Sequence, residues 1–155
     1  MLFIMSGCVN PFAPKLDDSI GGSDRLISNQ SDIEGVFKNF QYAYTFKDTL
    51  IYSQLLHPDF IFTYRDYDKG YDVSWGRDEE MKTTYGLFQN TQRLDLIWNN
   101  IIIMSGDSTH IIRSFNLTVS FSPVDIEYID GKVNLELIKT NNKWQIYRWI
   151  DESNY

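Results

Sequence analysis

The hydrophobic period of this chain changes to two after residue 91, and that change restricts the fold more than any other feature. Before it, apolar residues recur mostly at helical spacing. Ile33, Val36, Phe37, Phe40 and Tyr44 form one face of an amphipathic helix. Ser31, with Glu34 three residues on, predicts a capping box at its start. A second short helix is predicted from Asp48 through Leu56, with Pro58 ending it. Phe60, Phe62 and Tyr64 then alternate with Asp59, Ile61 and Thr63, which predicts a strand over 59–64. Residues 65–74 are polar and read as a loop. A third helix is expected over 77–89, with Met81, Tyr85 and Phe88 on one face. After residue 91 the period is two. Leu94, Leu96 and Trp98 alternate with Arg93, Asp95 and Ile97, and Phe115, Leu117, Val119 and Phe121 do the same. Val133, Leu135 and Leu137 follow, and a last strand over 144–150 comes after an Asn141-Asn142 turn. Helices first and strands afterwards predict an α+β fold: three N-terminal helices packed on one face of a curved antiparallel sheet.

Composition supports one folded unit. Of 155 residues, 43% are apolar and 15% aromatic, enough for a real core and too many for global disorder. The 14 Lys and Arg against 21 Asp and Glu leave a net charge of −7, with no basic stripe, which argues against nucleic acid as a partner. No apolar run approaches the ~18 residues that span a bilayer. One cysteine excludes an intramolecular disulfide framework and a Cys-based zinc site, and two histidines, His57 and His110, argue against a His-rich metal centre. Asp66, Asp68 and Asp72 are spaced like part of a calcium loop, without the bidentate Glu that such a loop needs. No metal and no cofactor is expected. The glycosylation sequon Asn116-Leu117-Thr118 sits mid-strand and is discounted.

The first residues look like an address. Leu2-Phe3-Ile4-Met5-Ser6-Gly7-Cys8 is a short apolar run closed by two small residues and the single cysteine. It resembles the lipobox of bacterial lipoproteins. That resemblance implies that Cys8 becomes a lipidated N-terminus and that residues 1–7 are the remnant of a signal peptide. Met5 stands where that family usually has Leu, and the basic n-region and full-length h-region are missing. A start codon assigned too late would account for both. The alternative is an ordinary apolar N-terminus with a stray thiol. From Cys8 to Gln30 the chain carries Pro11, Pro14, Gly21 and Gly22 among polar residues and reads as a flexible tether. The folded domain is expected over 31–155. The address implies the bacterial cell envelope, facing the periplasm or exterior, with a lipid anchor as the membrane contact.

Three stretches of the domain resemble the NTF2-like superfamily, which includes the ketosteroid isomerases and the SnoaL-like cyclases. They are Lys47-Asp48 followed by Leu55-Leu56-His57-Pro58-Asp59-Phe60, then Trp75-Gly76-Arg77-Asp78-Glu79-Glu80, and last Lys143-Trp144-Gln145-Ile146 with Trp149 and Asp151. The resemblance implies a cone whose mouth can hold a small molecule. It is nearly silent on activity, because this fold hosts many. An ungapped match through Asp48 puts Phe40 where the isomerases have a tyrosine and Tyr64 where they have their aspartate base. The third isomerase position falls near Asn134 or Glu136. Phe40 has no proton to give, and a tyrosine is a poor base near neutral pH. That chemistry is therefore not expected, and no catalytic residue is assigned.

Phe40, Tyr44, Phe62, Tyr64 and Trp98 are the candidate pocket-lining residues. Arg113, on the strand face of Phe115 and Leu117, is a sixth; the alternative is an ion pair with Asp95 or Glu136. On the last strand, Gln145, Tyr147 and Trp149 face opposite to Trp144 and Ile146, so large side chains are expected on both faces. That suggests a covered outer face and a homodimer through it. The sequence thus predicts a non-catalytic envelope lipoprotein that binds a small apolar ligand or a protein partner. The competing expectation is an acid–base enzyme with Tyr64, His110 or Arg113 in the cone.

Overall fold

The computed structural model describes residues 27–151. The element order is α1 (Ile33–Phe46), α2 (Thr49–Leu55), β1 (Leu56–Asp66), β2 (Tyr71–Gly76), α3 (Arg77–Asn90), β3 (Arg93–Met104), β4 (His110–Ser122), β5 (Asp125–Thr140) and β6 (Lys143–Asp151). The fold is α+β, with three helices N-terminal to most of the sheet. Cys8 and the tether through residue 26 lie outside the described residues. No helix among the described residues is long and apolar enough to cross a membrane.

Local chemistry sets the helix ends. The cap of α1 is Asp32 rather than Ser31: its carboxylate accepts from the Gly35 N–H at 2.7 Å. Lys47 ends the helix in the left-handed region, at φ 53°, and its N–H bonds back to Tyr44 O. Asp48 then caps α2 by accepting from the Ile51 N–H at 2.9 Å. The folded unit begins before residue 31. Gln30 is buried, and its side-chain amide donates to Trp144 O at 2.8 Å and Gln54 O at 3.3 Å. Asn39 clamps the backbone of Ser28, accepting from its N–H at 2.7 Å and donating to its carbonyl at 2.9 Å. These bonds satisfy buried polar groups that a tether would leave in water.

The six strands of the described residues form one sheet in the order β2-β1-β6-β5-β4-β3. Four pairings are antiparallel and one, β1 with β6, is parallel, so the sheet is mixed. Alternation in a sequence reports faces and not strand direction, so the parallel pair was not legible there. Four of the six residues of β2 lie within the stretch 65–74 predicted as a loop. It is an edge strand with no fully buried residue, and its short apolar row of Tyr71, Val73 and Trp75 is only partly covered.

A β-bulge changes the reading of β6. Leu137 pairs with Ile146 and Glu136 with Arg148, so Tyr147 is an extra residue in the ladder. The parity of the strand flips there. Ile146 and Trp149, three apart, are both buried in the core. Trp149 therefore faces inward, contrary to the expectation from simple alternation, and the argument for a covered outer face loses this residue. On α3 the inward residues are Glu80, Thr84 and Phe88, while Tyr85 is exposed. The helix is rotated from the predicted face because Glu80 finds partners inside.

The helices cover one side of the sheet. α1 lies against α2 and β3, and α3 lies against β1. Between them sits an aromatic core centred on Phe40, whose ring touches Tyr44, Tyr52, Trp98 and Trp149 at centroid distances of 5.1 to 5.5 Å. Full burial of one such side chain contributes roughly 1.5–3 kcal/mol, so this cluster holds the helical layer to the sheet.

Candidate functional site

The core is not closed. A cavity of about 360 Å³ opens between the helical layer and the sheet. Phe40 and Tyr44 reach it from α1, Phe62 and Tyr64 from β1, and Trp98 from β3. Arg113 is not on it. Its guanidinium lies 4.6 Å from the centre of the Phe37 ring, donates to Asn99 O and pairs with Glu34 at 3.2 Å. The side chain does leave the sheet on the inner face. It stops short of the cavity because α1 supplies both an aromatic ring and a carboxylate beneath it. Neither Asp95 nor Glu136 is its partner: these pair with Arg93 and Arg148.

Several wall residues lie outside the six pocket candidates read from the sequence. Trp75 lies on the edge strand β2, just past the predicted loop, and stacks on Phe62 at 4.5 Å. Trp149 and Asp151 reach the cavity because the bulge at Tyr147 turns them inward. Glu80 is the least expected. A glutamate in the first turn of a helix reads as solvent-facing, yet it is only 5% exposed and sits in the wall. Its Oε1 accepts from Tyr52 Oη at 2.6 Å and Thr84 Oγ1 at 3.1 Å, and its Oε2 accepts from Trp75 Nε1 at 2.7 Å. An ionised carboxylate accepts from all three donors at once.

Tyr52 carries the electrostatic signature of this network. Burial first, and the Glu80 carboxylate second, hold its phenol well above the ordinary tyrosine value. The sign of the linkage follows. An unfolded chain can release this proton near pH ~10 and the folded chain cannot. The contribution is therefore intact below about pH 10 and is lost as the pH rises beyond it. Alkaline denaturation followed by circular dichroism should be steeper for the native chain than for Tyr52→Phe. Parallel curves would show that this phenol does not titrate with unfolding.

The remaining sequence candidates lie elsewhere. His110 Nε2 is 2.7 Å from Asn134 Oδ1, on the outer face of the sheet. Asn134 and Glu136 both flank the inward-facing Leu135, so neither reaches the cone as a third acid. His57 sits against the Tyr147 ring, and its Nδ1 accepts from the Asp59 N–H at 3.1 Å. Asp66 and Asp72 are paired with Lys69 and Arg65.

This architecture has counterparts among solved structures. A protein of Novosphingobium aromaticivorans provisionally named a scytalone dehydratase superposes with a TM-score of 0.67 at 15% identity, over 79% of this chain and 81% of that one. The fold is the NTF2-like cone. An NTF2-like protein of unknown function from Shewanella baltica matches at 0.56 and 12% identity, over 77% of this chain and 89% of its own. AusH from Aspergillus nidulans matches at 0.63 and 11% identity, over 77% and 81%. At these identities the likeness concerns the fold. No family model and no curated protein sequence matches the chain. In the NTF2-like frame, the cavity occupies the space between helices and sheet, and its chemistry is this chain's own.

Proposed function

We propose that the domain is a binding module that holds a small apolar molecule in its cone, on a chain fixed to the bacterial envelope through a lipidated Cys8. The observation that carries the binding reading is the open cavity of about 360 Å³, walled mainly by aromatic and aliphatic side chains. Ligand sites are concave and mostly apolar, with a few fixed polar groups, and this wall has that character. A core with no role for the space would collapse, because an unfilled void forfeits contacts.

The wall argues against acid–base turnover of the isomerase kind. Phe40 stands where a phenol would be needed, and Glu80 is engaged by three donors. A second reading, an acid–base enzyme, draws on one observation. Tyr64 and Asp151 are opposite each other in the β1–β6 ladder, and both line the cavity. Native mass spectrometry of the full chain, released gently from its own envelope, tests both. A small molecule carried through purification and recovered unchanged supports the binding module. A bound compound that the protein converts supports the enzyme. A chain that is always empty and takes up no apolar probe refutes both.

The anchor rests on the Leu2–Cys8 stretch and is tested separately. Expressed in a bacterium behind a complete signal peptide, the chain should take up labelled palmitate and sediment with membranes. Cys8→Ala should abolish both, and a variant that still sediments would refute the anchor.

A further inference from the structure

We infer that the ligand of this cavity is an organic cation, an apolar body bearing an ammonium or similar charge. The inference rests on the binding reading above and names its substrate class. None of the described residues lining the cavity is Lys, Arg or His, and the two ionisable acids among them are Glu80 and Asp151. Glu80 is held by three neutral donors, two hydroxyls and an indole, so no cation is among its hydrogen-bond partners. A carboxylate in a place of low dielectric attracts a nearby cation far more strongly than one in water, and it repels an anion as strongly.

The rings add to this. A cation over an aromatic face is attracted by the ring quadrupole, and quaternary ammonium ligands are recognised by walls of this kind. Trp75, Trp98 and Trp149, the indoles best suited to it, all line the cavity with Tyr44 and Tyr64. The protein already places a cation on this cluster from outside. Arg113 lies 4.6 Å from the Phe37 ring centre and 6.0 Å from that of Trp98, and Trp98 is shared with the cavity wall. The net charge of −7 favours the approach of a cation over that of an anion.

The test compares three compounds of one shape. Phenyltrimethylammonium, its neutral isostere tert-butylbenzene and the anion benzenesulfonate are each equilibrated with the full chain and measured by equilibrium dialysis. The ammonium should bind at least tenfold more tightly than tert-butylbenzene, and benzenesulfonate should bind most weakly. Glu80→Gln and Asp151→Asn should each shrink the ammonium's advantage at least threefold. If tert-butylbenzene binds as tightly as the ammonium, the inference is overturned while the apolar cavity stands. An advantage that survives both substitutions also overturns it, because the attraction would then come from surface charge. If none of the three binds, the cavity is not a binding site and the inference falls with the proposed function.

Discussion

Phe40→Ala should destabilise the domain by about 4 kcal/mol, near the upper end of what large core truncations cost. The ring is 2% exposed, so protein rather than open cavity covers nearly all of it. It meets four other rings, and three of those contacts are edge-on, the arrangement in which aromatic pairs attract beyond their buried area. Its neighbours belong to α1, α2, β3 and β6, so no single element can move to fill the space. A domain of this size has roughly 5–15 kcal/mol in total, and the variant should unfold at a much lower urea concentration. Phe40→Leu keeps much of the volume and should lose far less. A loss below about 1 kcal/mol for the alanine variant would show that the helical layer repacks freely, and that the ring is not what joins it to the sheet.

Glu80→Ala should cost about 3 kcal/mol, because it removes the acceptor of the Trp75 indole and leaves the buried Tyr52 phenol with Thr84 alone. Tyr52 is fully buried, and its hydroxyl would be left in an apolar place. The relief of no longer burying a carboxylate offsets part of this loss. Glu80→Gln separates the two effects. Its amide oxygen can accept from Trp75, which can only donate, while its NH2 donates to the hydroxyls of Tyr52 and Thr84, which can reverse. The glutamine variant should therefore lose only about 1 kcal/mol. Urea denaturation of both variants measures the contrast. Equal losses would show that the charge itself, and not the pattern of donors, supports the site.

These two residues also mark what a sequence discloses. Phe40 is legible because Ile33, Val36, Phe37, Phe40 and Tyr44 repeat at the helical period, and that face does turn inward. Glu80 is illegible because an acidic side chain in a helix's first turn ordinarily belongs to solvent, and its burial depends on Tyr52 and Trp75 arriving from other elements. The order of elements could be read from the change in period, and the NTF2-like resemblance follows from that order. Register could not be read. A single extra residue at Tyr147 reverses the faces of the strand's last residues, and alternation gives no warning of it. β2 was hidden because a short edge strand, half-buried on one face at Val73 and Trp75 alone, has nearly the composition of a loop. Arg113 shows the limit of parity. The side chain leaves the sheet on the inner face, but Phe37 and Glu34 intercept it before the cavity.

The place of β6 in the sheet bears on how the molecule is made. Of the described strands the ribosome delivers this one last, yet it lies between β1 and β5 and links the flanks β2-β1 and β5-β4-β3. While the chain emerges, the early strands have no neighbour on their inner edge. The later hairpins can pair among themselves but cannot reach the early ones. Sheet closure must therefore wait until Asp151 has left the exit tunnel. A domain whose two flanks are joined through the last of its described strands stays open until that strand has emerged.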